Sequence, residues 1–91
     1  MLEIVMSNKF KKDLKLASKR GYNLILLDKV VEQFAKQKSL PFKNHDHELT
    51  GNYVGFRECH IQPDWLLVYR VHEENLILFL ARTGTHSDLF N

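Results

Sequence analysis

The architecture of this chain follows from one segment, which reads Phe56-Arg57-Glu58-Cys59-His60-Ile61-Gln62-Pro63-Asp64-Trp65. The segment predicts a strand that carries ionisable groups into a turn, and Gln62-Pro63-Asp64 predicts a tight reversal into a second strand that begins at Trp65. A purely structural hairpin would not gather this many ionisable side chains in ten residues. The segment therefore indicates both the pairing of the sheet and the place of a functional site.

Three consecutive strands are predicted around this reversal, at about residues 53–61, 65–72 and 75–83. Short turns at 62–64 and 73–75 separate them, so they should form an antiparallel meander. Residues 76–81 are almost continuously apolar, which is typical of a strand that is central in a sheet or covered on both faces. Thr85 and Asp88 have the spacing of a capping box, which predicts a final helical turn.

The N-terminal part predicts one strand and two amphipathic helices. Residues 2–6 are apolar and partly β-branched, and Ser7 or Asn8 is suited to cap a helix over 9–20. Gly21 ends that helix, Asn23 caps a second one that runs to about residue 38, and Pro41 follows. The resulting order is β-α-α-β-β-β, an α+β fold with two N-terminal helices packed on a small twisted sheet.

Composition bounds the class of protein. A chain of 91 residues with 44% hydrophobic and 26% charged residues predicts a single small globular domain over 1–91. No apolar run approaches the eighteen residues of a membrane span, and the N-terminus does not resemble a secretory signal. Cys59 is the only cysteine, so no intramolecular disulfide is possible, and a cytoplasmic location is expected.

Charge is distributed unevenly along the chain. Residues 1–43 contain ten Lys and Arg against four Asp and Glu, whereas residues 44–91 contain three against seven and all five histidines. The first part therefore offers a basic surface to a polyanion, unless its lysines are simply a solvated helix face. The second part offers a cluster of titratable groups.

Pleating predicts which ionisable groups meet. Glu58 and His60 share one face of their strand, and Cys59 points to the other. We expect Asp64, one turn away, to hydrogen-bond His60 and orient its imidazole. His86 follows a strand end and His47 lies in a polar loop, and we expect both segments to converge on the same place.

These groups suit the cleavage of RNA. A base must take the proton of the ribose 2′-hydroxyl, an acid must protonate the leaving 5′-oxygen, and a cation must stabilise charge on phosphorus. Histidine serves either proton transfer near neutral pH. Arg82, and Arg57 as a second candidate, offer the planar fork that binds phosphate, and Trp65 and Phe90 are candidates to stack on bases. For both aromatic residues the alternative is packing in the core or at its rim.

Two other uses of these residues are weaker. A zinc site could recruit His45, His47, His60 and His86, but the chain has no HExxH motif or paired CxxC. Cys59 is a poor nucleophile because it faces away from His60 and no helix N-terminus activates it. We therefore expect neither a metal nor another cofactor.

The chain also resembles a known family, the YafQ branch of the RelE/ParE toxin superfamily. The resemblance covers nearly the whole chain, and the ordered patterns are specific as a set although each is weak alone. They are Asp46-His47-Glu48-Leu49-Thr50-Gly51, then residues 55–69 with Arg57, His60 and Pro63-Asp64-Trp65, and finally Arg82-Thr83-Gly84-Thr85-His86-Ser87-Asp88-Leu89-Phe90.

The resemblance implies a RelE-like fold and a toxin of a bacterial type II toxin–antitoxin system. Such a toxin is an mRNA interferase that cleaves mRNA in the ribosomal A site without a metal, leaving a 2′,3′-cyclic phosphate and a 5′-hydroxyl. By matching positions the implied catalytic residues are His47, His60, Asp64 and His86, with His86 as the leading acid/base. The substrate-binding residues expected beside them are Arg82, Phe90, Trp65 and Glu58, the last standing where some relatives have Asp.

The resemblance also implies a partner, a cognate antitoxin that is acidic and partly disordered and that covers the basic surface. The alternative function within the same superfamily is a non-catalytic, ParE-like toxin that inhibits a protein target such as DNA gyrase. The histidine-rich second part favours the endoribonuclease.

Overall fold

The computed structural model of this chain describes residues 1–38 and 46–90. The elements are β1 (Glu3–Met6), α1 (Asn8–Lys19), α2 (Leu24–Ala35), β2 (His47–Glu48), a 3-10 helix (Gly51–Tyr53), β3 (Arg57–Gln62), β4 (Trp65–His72), β5 (Ile77–Gly84) and α3 (His86–Phe90). This order confirms the predicted α+β class. Among the described residues, no helix is long and apolar enough to cross a membrane.

The strands form one mixed sheet in the order β1-β5-β4-β3-β2. The predicted antiparallel meander of β3, β4 and β5 is confirmed. β1 pairs with β5 in parallel, with Glu3 opposite Ile77. β5 thus lies inside the sheet, and its apolar run fills both faces, with Leu78 and Leu80 in one core and Phe79 packed against the other.

Both long helices begin and end where short-range chemistry favours it. The Ser7 hydroxyl accepts a hydrogen bond from the amide of Phe10, and the Asn23 side chain accepts one from the amide of Ile25. Gly21, at a φ of 79°, ends α1 as predicted. α2 ends at Ala35 and not at residue 38, because Gln37 adopts a positive φ of 60° and closes the helix.

Two further boundaries and one short strand differ from the predictions. β3 begins at Arg57 and not at 53, because a 3-10 helix and Gly55, with a φ of 91°, occupy the preceding positions. β5 begins at Ile77, since Leu76 has a φ of 54° and belongs to the turn. The short strand β2 was not predicted, because two residues in a polar loop show no alternation.

The sheet has two unlike faces. One face packs against α1 and α2 and carries the main core, in which Phe10, Cys59 and Trp65 are buried. The other face carries a smaller cluster of Leu66, Val68, Ala81 and Leu89, with Leu49, Tyr53, Phe56 and Phe79 packed against it. In the β3–β4 register His60 lies opposite Leu66 and Glu58 opposite Val68. Glu58 and His60 therefore belong to this second face, beside α3.

Candidate active site

A buried carboxylate lies at the bottom of the site. Glu58 is only 4% exposed, and its Oε1 atom lies 3.6 Å from Nε2 of His60 and 3.7 Å from Nε2 of His47. β2 places His47 there, because the β2–β3 register sets it directly opposite Glu58. Two imidazoles from different strands thus converge on one carboxylate.

α3 brings the third imidazole to this place. The predicted capping box is confirmed: the Thr85 amide donates to Asp88 Oδ2 at 2.9 Å, and the Asp88 amide donates to Thr85 Oγ1 at 3.1 Å. His86 is the first residue of the helix, and its ring centroid lies 5.8 Å from that of His60, with the planes at 67°. The predicted convergence of the His60 and His86 segments is therefore confirmed.

Asp64 binds a different histidine from the one predicted. Its Oδ1 atom lies 3.0 Å from Nδ1 of His86 and accepts the His86 amide at 3.2 Å. The expected partner was His60, the nearer residue in sequence, but Glu58 supports that ring instead. The hydrogen bonds from the His86 side chain and backbone lower the pKa of Asp64 below its usual range.

An ion pair fixes α3 to the rest of the fold. The Arg20 guanidinium at the end of α1 binds both carboxylate oxygens of Asp88, at 2.6 and 3.1 Å. The hydrogen bond to Arg20, with those from Thr85, holds the pKa of Asp88 well below its ordinary value. This long-range contact was not predicted, because nothing in local sequence links the end of α1 to α3.

Phe90 lies at the rim of the site, which is the position that its predicted role of stacking on a base requires. Its ring is 41% exposed, packs edge-on against Tyr53 at 5.5 Å and lies 6.2 Å from the ring of His86. Phe90 is thus partly exposed beside an imidazole.

Trp65 does not have the predicted role of a base-stacking residue. It is 2% exposed, and its indole N–H donates to the Thr83 hydroxyl at 2.9 Å inside the core. A ring that is buried in this way cannot offer a face to a nucleotide. The alternative of core packing is correct.

The two arginines expected at phosphate are bound to carboxylates instead. Arg82 Nε lies 2.8 Å from Asp13 Oδ2, which also accepts the Thr83 amide, and hydrogen bonding to Asp13 raises the pKa of Arg82. Arg57 Nε lies 3.2 Å from Asp46 Oδ1. Asp13 is an important residue that the sequence analysis missed, since it reads only as one acid in a lysine-rich helix. Direct phosphate binding by Arg82 would require it to leave this pair.

The remaining predicted residues are placed as follows. Glu58 is too buried to meet a substrate directly, and its carboxylate lies beside His47 and His60 instead. Cys59 is fully buried in the helix-side core, and burial raises the pKa of its thiol, which confirms that it is a poor nucleophile. His45 lies outside the described residues.

The same groups have the composition of a metal site. One ligand atom each from Glu58, His60 and His86 lie within 4.8 Å of one another. Two imidazoles and a carboxylate are a donor set that suits zinc or copper. This trio differs from the four histidines considered from sequence, because it includes Glu58.

The family of the chain follows from comparison with known proteins. Residues 2–91 match the family model described as the bacterial toxin of type II toxin–antitoxin system, YafQ. The chain belongs to the YafQ toxin family. The resemblance inferred from sequence is thereby confirmed.

Individual relatives agree with this assignment of a YafQ toxin. The chain is 36% identical to the mRNA interferase toxin YafQ of Escherichia coli K12. The alignment spans 89 residues, which are 97% of this chain and 95% of the relative. A metal-bound toxin from Helicobacter pylori is 50% identical, with a TM-score of 0.93 over 99% of this chain and all of that one. A chain of the E. coli DinJ–YafQ toxin–antitoxin complex is 35% identical, with a TM-score of 0.88 over 99% and 98% of the two chains.

Proposed function

We propose that this YafQ toxin is an mRNA interferase, an endoribonuclease that cleaves ribosome-bound mRNA by acid–base catalysis with His60 and His86. The observation that carries the proposal is that these two imidazoles lie 5.8 Å apart and that each has its own carboxylate partner. A ribose 2′-hydroxyl and the leaving 5′-oxygen flank one phosphorus, so two nearby proton-transfer groups match the reaction.

Asp64 determines which nitrogen of His86 reacts. An ionised carboxylate only accepts hydrogen bonds, so Nδ1 of His86, at 3.0 Å, carries the proton directed to Asp64. Nε2 is then the atom that faces a substrate, as an acceptor in the neutral ring and as a donor in the charged ring. His86 exchanges protons with the ribose-phosphate through Nε2.

Glu58 supports the other side of the reaction. Its carboxylate is 3.6–3.7 Å from the Nε2 atoms of His60 and His47, and it is shielded from water. A buried anion stabilises positive charge on either imidazole more strongly than an exposed anion would. A protonated imidazole here stabilises the negative charge that develops on the phosphorane oxygens. Phe90 stacks on a neighbouring base and helps to hold the strand.

The comparisons support RNA cleavage over the alternative of a ParE-like inhibitor of gyrase. The E. coli relative that covers 97% of the chain is named an mRNA interferase toxin. Action in the ribosomal A site and products with a 2′,3′-cyclic phosphate are what the family resemblance implies. They belong to the proposal together with a cytoplasmic location.

The proposed protein partner is an acidic, partly disordered antitoxin. The E. coli relative is found in a toxin–antitoxin complex with DinJ. In this chain the lysines of α1 give the antitoxin a basic surface, since all five are exposed, namely Lys9, Lys11, Lys12, Lys15 and Lys19. Binding there brings the antitoxin to Arg20 and α3, next to His86.

Alanine variants of single histidines test the catalytic proposal. On ribosomes programmed with a defined mRNA, His60→Ala and His86→Ala should each lower the cleavage rate by roughly 10²–10⁴-fold. His72→Ala is the matched control, because His72 lies at the far end of β4, about 20 Å along the strand from the level of His60. Equal loss in the control, or none in His86→Ala, would count against the proposal.

The trio of Glu58, His60 and His86 supports metal binding as a second candidate property. The Helicobacter relative, 50% identical, was crystallised as a metal-bound toxin. A bound Zn²⁺ or Cu²⁺ would occupy the imidazole nitrogens needed for proton transfer, so metal binding and RNA cleavage would exclude each other. Calorimetric titration with ZnCl₂ tests this: His60→Ala should lose the binding, whereas His72→Ala should retain it. Unchanged binding by His60→Ala would place the metal elsewhere.

A further inference from the structure

Arg70 differs from the other arginines in its electrostatic partners. All four arginines of the chain fall within residues 1–38 and 46–90. Three bind carboxylates, namely Arg20 with Asp88, Arg57 with Asp46 and Glu48, and Arg82 with Asp13. Arg70 has no carboxylate within ion-pair distance in the described part of the chain. Its guanidinium lies over the ring of Phe56, 5.9 Å from the centroid.

Arg70 projects from the face of the sheet that carries the histidines. Along β4, residues 66, 68 and 70 alternate with the core residues, and Leu66 and Val68 lie opposite His60 and Glu58. Arg70 contacts Phe56, which packs against the same second-face cluster. Its backbone is four residues from Leu66, on the order of 14 Å along the strand. The Arg70 guanidinium thus lies on the same face of the sheet as the active-site histidines, but farther along the strand.

The recess around Arg70 is suited to binding a nucleotide. Gly55, whose φ of 91° favours glycine, lies beside the Arg70 guanidinium. The recess beside Arg70 is also lined by Phe56 and by two acids, Glu48 and Glu73. Glu48 is engaged with Arg57 at 3.6 Å. An aromatic ring beneath an arginine positions its planar fork while leaving its outward N–H groups available.

We propose that Arg70 binds a phosphodiester of the mRNA next to the scissile one, with Phe56 holding the guanidinium in place. The inference rests on the proposed function and extends it by adding a phosphate contact on the same face of the sheet as His60. An arginine this far from the reacting phosphorus binds substrate and transition state equally. It therefore affects KM and leaves kcat nearly unchanged.

Substitution of Arg70 separates this role from catalysis. In the ribosome assay Arg70→Ala should raise KM about tenfold with kcat within about twofold, the loss expected for a charge-assisted hydrogen bond. Arg70→Lys should recover part of KM, because it keeps the charge and loses the fork. Lys29→Ala, which removes an exposed cation from α2 on the other side of the sheet, should change neither. A KM unchanged in Arg70→Ala, or raised equally in Lys29→Ala, overturns the proposal.

Neutral phosphates in the mRNA identify the contact directly. A methylphosphonate is placed at each phosphate flanking the cleavage site in turn, and KM is measured for the native protein and for Arg70→Ala. At one flanking position the native protein should lose about tenfold and Arg70→Ala nothing further. Equal losses by both proteins at every position contradict the assignment. Failure of the proposed function would be seen separately, as full activity of His86→Ala.

Discussion

The carboxylate of Asp64 holds Nδ1 of His86 at 3.0 Å and its backbone amide at 3.2 Å, across a separation of 22 residues. This double contact couples the β3–β4 turn to the start of α3. In the proposed mechanism it keeps the proton of the neutral imidazole on Nδ1, which leaves Nε2 for the substrate. Since both side chains are more than half exposed, the pair contributes little to stability and acts mainly on orientation.

Replacing Asp64 with asparagine should therefore impair turnover more than folding. Asn has the same shape but no charge, so the ring of His86 loses the partner that selects its tautomer. We expect kcat to fall by about 10- to 100-fold, with KM and the unfolding free energy little changed. Steady-state cleavage kinetics and urea denaturation measure the two effects. Native kcat in Asp64→Asn would mean that the contact has no role in proton transfer.

The Arg20–Asp88 pair predicts a loss of stability in acid. The pKa of Asp88 in the folded chain is lowered from its ordinary value of 3.8 by the Arg20 hydrogen bond. A carboxylate with a depressed pKa contributes stability that is fully present above its unfolded pKa and is lost as the pH falls towards its folded pKa. Asp88→Asn should therefore lose stability at pH 7 and show a weaker decline between pH 5 and pH 3. Urea denaturation across this range is the measurement, and parallel curves for both proteins would refute the linkage.

Asp13 should be important for stability although it is remote from the histidines. Its carboxylate binds the Arg82 guanidinium and the Thr83 amide, and the Asp13 and Arg82 side chains are only 12% and 20% exposed. Asp13→Ala leaves a partly buried cation and an amide unpaired, which we expect to cost about 2–3 kcal/mol. Arg82→Ala should likewise lower the unfolding free energy and leave the KM of the folded fraction nearly unchanged. A large rise in KM with native stability would instead assign Arg82 to the phosphate.

Cys59 should be chemically inert in the folded protein. Its thiol is fully buried, and burial raises its pKa, so little thiolate forms at neutral pH. Iodoacetamide should modify it only after unfolding, and Cys59→Ala should keep native cleavage at a cost of about 1 kcal/mol in stability. Rapid modification of Cys59 in the native protein, as detected by mass spectrometry, would contradict this burial.

Local patterns were sufficient for most of the fold. The caps at Ser7 and Asn23, the stop at Gly21 and the Thr85–Asp88 box depend on residues close in sequence, and each forms as expected. Two of the boundaries that differed, at Gln37 and Leu76, are set by non-glycine residues at positive φ, which composition does not reveal.

The site was predictable in its members more than in its contacts. Pleating alone places Glu58 beside His60, and the structure agrees. The pairing of Asp64 with His86 depends on how α3 folds back across β4 and β5, and sequence proximity indicated His60 wrongly. The role of Trp65 also depends on tertiary structure, because only the packing of the helices shows that its ring is covered.

The most direct test is to map the products of cleavage on programmed ribosomes when the mRNA carries a single 2′-deoxynucleotide at the scissile position. Attack by the ribose 2′-hydroxyl, assisted by His60 and His86, predicts no cleavage at the modified site. It also predicts a 2′,3′-cyclic phosphate with a 5′-hydroxyl at the unmodified one. Cleavage of the deoxy substrate at the native rate, or products with a 5′-phosphate, would contradict the mechanism.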